Sequence, residues 1–282
     1  MFRGEPGVLR MRVGLVQLAP VLGDTPATLA KIDRLLADIE MPQLLVFPEL
    51  CNSGYDFADI HQARSLAEQV EKSAFIHHLQ RLCRRAGCHI ISGFNELAGD
   101  KLYNSAVLLG PKGIIGKYRK LHLFLNEKDY FQPGDLGLPV FDLGFCRVGM
   151  LVCFDWFYPE VWRILALKGV DIICHPANLV LPGLAQRGVE VHALINRIFI
   201  ILANRTGTEG DLQFTGLSRI VDPGGQVLGS AAEQQEQVVI AEIDIGLARD
   251  KYITPRNHVL ADRRPVEYRL LTEEKPQTNP AP

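Results

Sequence analysis

Four blocks of sequence recur in the same order along this chain, and the echo constrains its fold more than any single motif. Arg12-Val13-Gly14-Leu15-Val16 returns as Arg147-Val148-Gly149-Met150-Leu151, and Leu45-Val46-Phe47-Pro48 as Ile173-Cys174-His175-Pro176. Ile90-Ile91-Ser92-Gly93-Phe94-Asn95 is echoed loosely by Ile200-Ile201-Leu202-Ala203-Asn204, and a Pro-Gly hairpin over 107–116 is matched by one over 219–229. Helical patterns separate the blocks: Pro26 to Ile39 with Thr25 as cap, Ser73 to Ala86 closed by Gly87, Pro159 to Lys168, and Gly188 to Asn196. Each half therefore reads strand, helix, strand, helix, strand, hairpin. Strands that are apolar on both faces need cover on both. The expected fold is α/β, a four-layer αββα sandwich of two mixed sheets with internal pseudo-two-fold symmetry.

At 282 residues and 47% hydrophobic, the chain can bury the core of one large domain. We place that domain at 11–262, after a flexible extension over 1–10. A C-terminal segment and tail follow over 263–282, polar, proline-containing and expected to be disordered from Glu273 on.

The chemistry-bearing residues sit where apolar strands end. Cys153 closes the run Arg147 to Val152 and precedes Phe154-Asp155-Trp156-Phe157-Tyr158-Pro159-Glu160, so a thiol stands between a buried strand and a helix. A helix opening near Pro159 is expected to favour the thiolate through its N-terminal dipole. Gln43-Leu44-Leu45-Val46-Phe47 runs into Pro48-Glu49, leaving a carboxylate at the end of an apolar wall, where burial should raise its pKa and make it a base. Lys120 lies in Gly116 to Phe124, where cations alternate with aromatic and aliphatic residues after a hairpin. By the repeat, Glu49 and Ala177 end equivalent strands, so base and nucleophile project from carboxyl ends of central strands, where open α/β sheets place ligands.

In this order and context, Glu49, Lys120 and Cys153 resemble the Glu-Lys-Cys triad of the nitrilase superfamily of carbon–nitrogen hydrolases. The resemblance runs from Met11 to about Asp262 and includes Asn126-Glu127-Lys128-Asp129-Tyr130-Phe131-Gln132-Pro133-Gly134-Asp135, where Glu127 matches the family's second pocket carboxylate. Cys153 to Glu160 and His175-Pro176-Ala177-Asn178-Leu179-Val180 are most similar to an archaeal-type branch of amidases and aliphatic nitrilases. The resemblance implies cofactor-independent hydrolysis of a non-peptide C–N bond through a cysteine thioester. Lys120 and the backbone N–H of Phe154 would then face the developing oxyanion. Tyr55, Tyr130, Trp156 and Asn178 are the expected substrate contacts, with Phe131 and Phe157 as further aromatic walls. Arg187 and Arg197 are the arginines available to clamp a substrate carboxylate.

Many family nitrilases follow the nucleophile with Trp-Glu, whereas Phe154-Asp155 follows here, which favours small aliphatic amides. Nitriles are the alternative, N-carbamoyl compounds a third; acyl transfer and a non-catalytic scaffold complete the readings. Net charge of −2 gives no basic surface for nucleic acid, and no apolar run reaches the roughly 18 residues of a bilayer span. A cytoplasmic enzyme is expected, a homodimer or higher oligomer to which the segment from Arg249 to Arg264 contributes. Six cysteines show no CxxC pair, so neither disulfides nor zinc is expected; His122, Cys174 and His175 are available as ligands but lack the spacing of a zinc site.

Overall fold

The computed structural model describes residues 10–273, so the expected extension, except for Arg10, which already belongs to the first strand, and most of the expected tail lie outside the described residues. The chain divides into two compact units between Asp250 and Lys251. The first contains strands β1 (Arg10–Gln17), β2 (Leu44–Val46), β3 (His89–Ala98), β4 (Lys101–Gly110), β5 (Gly113–Arg119), β6 (Val140–Asp142) and β7 (Arg147–Met150). It continues with β8 (Ile172–Ala177), β9 (Phe199–Asn204), β10 (Thr208–Glu209), β11 (Leu212–Gln213), β12 (Arg219–Val221), β13 (Val227–Ser230) and β14 (Gln237–Asp244). Its helices are α1 (Thr25–Leu36), α2 (Ile60–Ser65), α3 (Ala74–Ala86), α4 (Glu127–Tyr130), α5 (Pro159–Leu167), α6 (Leu184–Asn196) and α7 (Gly246–Arg249).

Two six-stranded mixed sheets form, ordered β14-β1-β2-β3-β4-β5 and β6-β7-β8-β9-β12-β13. They are copies in register. Gly14, Leu45, Ile90 and Leu109 stand side by side across the first sheet. Gly149, Ile173, Ile200 and Val221 do so across the second. These are the residue pairs that the sequence echo aligns. The sheets pack against each other through β1, β2, β3, β8 and β9, while α1 and α3 cover one outer face and α5 and α6 the other. The central strands β2, β8 and β9 are buried along their whole lengths, as two-sided cover requires.

Local boundaries differ from expectation for identifiable reasons. The cap of α1 is Asp24, whose carboxylate accepts from Ala27 N at 2.8 Å, while the Thr25 hydroxyl donates to Asn52 O. That helix stops at Leu36 rather than Ile39. Helix α6 starts four residues before Gly188, which lies inside it because a Cβ there would stand 2.7 Å from the Trp156 ring. Ser73 and Gly87 do cap α3, the glycine in the left-handed region. The second unit contains a short hairpin of Tyr252–Thr254 and Asn257–His258, then a 3₁₀ segment over Pro265–Leu271. No helix of the described residues is long and apolar enough to cross a membrane.

Candidate active site

Strand ends deliver the site. After β2 the chain turns through Pro48-Glu49-Leu50, held against β3 by Gly93 N donating to Pro48 O at 3.0 Å and Cys51 N donating to Gly93 O at 3.1 Å. A Cβ on Gly93 would lie 2.3 Å from Glu49 Cα, so glycine is what lets the turn approach. Gly93→Ala is therefore expected to displace Glu49 and cost about 10²-fold in activity, as a misplacement of about 1 Å can. Steady-state rates beside a melting curve separate this from plain loss of stability.

Glu49 is fully buried, and Lys120 and Cys153 are nearly so. Lys120 Nζ donates to Glu49 Oε1 and to Glu127 Oε1, each at 2.7 Å. Asn104 Nδ2 also donates to Glu49 Oε1 at 2.7 Å, and Asn104 O receives the Lys120 backbone N–H, so β4 aligns both charges. Glu49 Oε2 is buried without a protein partner. Cys153 feels the charges of Glu49, Lys120 and Glu127 and receives the backbone N–H of Asn178. The expected triad and second carboxylate thus form one cluster.

Three non-glycine residues on these segments adopt left-handed backbone: Leu50 at φ 46°, Leu125 at 46° and Cys153 at 43°. Each costs about 1–2 kcal/mol, and such strain concentrates where a side chain must be aimed.

The Cys153 turn is tied to the lysine segment by Asp155. Its Oδ2 accepts from Val152 N at 2.9 Å and from the Tyr118 hydroxyl at 2.7 Å. Its Oδ1 accepts from His122 N and bonds His122 Nδ1, while that imidazole stacks on Tyr158. His175 Nε2 donates to the Cys153 carbonyl; burial holds this imidazole down near 4, so it is neutral. His122 and His175 are thus ties that shape the turn. Among the described residues no cluster of three or more His, Cys, Asp or Glu could hold a metal.

Burial, not a helix dipole, dominates the electrostatics at Cys153. A 3₁₀ turn over Cys153–Phe157 separates the thiol from α5. Burial pushes the Cys153 thiol well up, the Glu49 charge adds to it, and Lys120 opposes. Burial also pulls Lys120 down, but Glu127 and Glu49 outweigh it and hold the ammonium high. Glu127 is raised to about 7 by burial, against Lys120 and with the charge of Glu49. A carboxyl raised in the folded state makes the fold bind more protons than the unfolded chain, so its stabilising contribution is present below about 4.5 and lost as pH rises through about 7. Glu127→Gln should flatten the fall in melting temperature between those values.

The expected contacts divide. Tyr55 turns its hydroxyl inward to donate to Glu127 Oε1 at 2.8 Å, and Tyr130 donates to Phe57 O at 3.1 Å. Asn178 Nδ2 donates to the Glu49 carbonyl at 3.0 Å, leaving its buried Oδ1 unpartnered. Trp156, Phe154 and Asn178 line a cavity of about 20 Å³ over Cys153, roughly the space of one water. Tyr55, Glu127, Tyr130 and Phe131 line a neighbouring one of about 70 Å³. Phe157 is 59% exposed and lines neither. Arg197 bonds Asp250 and Arg187 is exposed, so neither is a clamp in these walls. Asn104, Asp155 and Tyr118 went unread in the sequence because their roles depend on distant partners; only Asp155, next but one to the nucleophile, carried a local signal.

The sequence profile of the carbon–nitrogen hydrolases matches residues 12–251. A nitrilase of Pyrococcus abyssi is 44% identical over 260 residues, covering 92% of this chain and 99% of its own. An (R)-stereoselective amidase of a Pseudomonas species is 36% identical over 239 residues, 83% of this chain and 85% of its own. A carbon–nitrogen hydrolase of Helicobacter pylori G27 superposes with TM-score 0.83 at 27% identity, covering 94% of this chain and 99% of that one. With the profile spanning most of the chain and the two-sheet fold shared, this protein belongs to the carbon–nitrogen hydrolases of the nitrilase superfamily and is a hydrolase of that class.

Proposed function

We propose that the protein hydrolyses small aliphatic amides to acid and ammonia, with Cys153 as nucleophile and Glu49 as its base. The observation that carries this reading is the free, buried Oε2 of Glu49 in the Lys120-linked cluster that surrounds a protonated thiol. Glu49 takes the thiol proton as sulfur attacks the carbonyl carbon, forming the C–S bond and placing negative charge on oxygen. Lys120 and the Phe154 N–H, an early amide of the 3₁₀ turn without an intrahelical acceptor, stabilise that charge. The C–N bond breaks as nitrogen takes the proton from Glu49. Water, deprotonated by Glu49 and positioned by Glu127, then cleaves the thioester and returns the thiol.

Nitriles are the second reading, favoured by the relative from Pyrococcus abyssi that is named a nitrilase. Sulfur would add to the nitrile carbon to give a thioimidate, and water would add to that carbon and expel the nitrogen as ammonia to reach the same thioester. Carbamoyl substrates bearing a carboxylate gain no support, because no Lys or Arg lines either cavity while Asp56 and Glu127 line the outer one. Ammonia release from matched small amides and nitriles, with intact protein and Cys153→Ala, tests the reading. Amide turnover that disappears in the variant supports it, nitrile-only turnover selects the second reading, and silence on both overturns them.

We also propose self-association. Helices α5 and α6 pack side by side and expose Ile164, Leu167, Val191, Leu194 and Ile195, an apolar surface that a second copy would cover. Light scattering that gives a monomer mass would refute this.

A further inference from the structure

Another buried charge pair supports the turn that carries Tyr55. Arg205 follows β9, Glu209 ends β10, and Arg205 Nη2 donates to Glu209 Oε2 at 2.7 Å. Both side chains are more than nine-tenths buried. Glu209 Oε1 accepts two successive backbone amides, Tyr55 N and Asp56 N, each at 2.7 Å. The Arg205 guanidinium sits 4.3 Å over the Phe214 ring, and that ring meets Tyr55 edge-on at 6.0 Å. Two glycines permit the approach. A Cβ on Gly54, at φ +86°, would be 2.9 Å from Glu209 Oε2, and one on Gly210 would be 2.1 Å from Asp56 Oδ2.

A buried ion pair is weak evidence for stability, since well-packed apolar residues often do as well. Here Arg205 also leaves Nε and Nη1 buried without protein partners, a further cost to the fold. What the pair does that apolar residues could not is fix two adjacent amides of the turn bearing Tyr55, whose hydroxyl donates to Glu127. We infer that Arg205 and Glu209 are positioning residues for catalysis: they set the Tyr55 turn and so hold Glu127 in line with Lys120. This rests on the reading of Glu127 as part of the hydrolytic cluster. The Tyr55 bond favours the ionised form of Glu127, so loosening the turn should raise the pH at which Glu127 loses its proton.

A double-mutant cycle tests it. Glu209→Gln alone and Tyr55→Phe alone should each lower kcat by about tenfold, the size of one hydrogen bond, and move the acid limb of the rate profile upward. The double variant should be no slower than Tyr55→Phe. Phe214→Leu, which leaves the ion pair intact and is the control should Glu209→Gln fail to fold, should move the limb the same way. Losses that multiply, or an acid limb left in place by both Glu209→Gln and Phe214→Leu, would reduce the pair to a structural tie and overturn the inference. The rate of Cys153 alkylation by iodoacetamide against pH gives the same readout without hydrolysis. If wild type turns over neither amide nor nitrile, the proposed function falls. The positioning role then stands only if the alkylation profile shifts alike in Tyr55→Phe and Glu209→Gln.

Discussion

Exchanging Cys153 for alanine is expected to leave a folded protein with no measurable turnover. The substitution removes one sulfur from the wall of a cavity of about 20 Å³ and leaves the ties of its turn in place, because they run through the Cys153 carbonyl and the Asp155 carboxylate. Melting temperature should therefore change little. The residues that line the cavity beside Cys153 are Phe, Trp, Asn, Leu, Val and Ala, none of which can form the acyl intermediate in its place. The rate should fall by about 10⁶-fold, the order seen when a covalent nucleophile is removed from a hydrolase. Ammonia release beside circular dichroism checks both halves. A folded variant that keeps a tenth of the activity would require a different nucleophile.

Lys120→Ala should damage catalysis severely, though less than loss of Cys153, and the fold far more. The ammonium bonds Glu49 and Glu127 at once, and all three groups are buried. Without it two carboxylates face each other in a low-dielectric interior, and one must take up a proton. Breaking a buried pair by removing one partner costs about 3–5 kcal/mol. The sign of its pH dependence follows from linkage. Glu127, already raised, would be pushed up further without the ammonium, so the folded variant would bind more protons than the unfolded chain and lose stability as pH rises. Denaturant midpoints should separate from wild type more at pH 8 than at pH 5. Activity should fall by at least about 10²–10³-fold, since an oxyanion donor leaves with the counter-charge. A variant with wild-type stability at both pH values would mean that Lys120 does not neutralise the pair.

Much of this is legible in the sequence, for a physical reason. The four echoed blocks are buried strands whose residues are dictated by two-sided packing, so the copies stayed recognisable and their registers agree, Leu45 with Ile173 and Leu109 with Val221. The sixth strand of each sheet, β14 or β6, lies outside the echoed blocks, and no internal copy drew attention to it. Glu49, Lys120, Glu127 and Cys153 could be picked out because each sits in a segment with a local signature. Asn104 could not, because its value lies in bonding Glu49 from the middle of β4, across 55 residues of sequence. A strand–helix junction read in one dimension does not show that the Cys153 thiol is buried and separated from α5 by a 3₁₀ turn.

Intact-mass spectrometry of the wild-type enzyme, quenched with acid within its first turnovers on a small aliphatic amide, addresses the central claim most directly. The account predicts a mass increase equal to the acyl group, mapped by peptide digestion to Cys153 and absent from Cys153→Ala. Sustained ammonia release with an acyl group mapped to another residue, or with amide hydrolysis undiminished in Cys153→Ala, would contradict it.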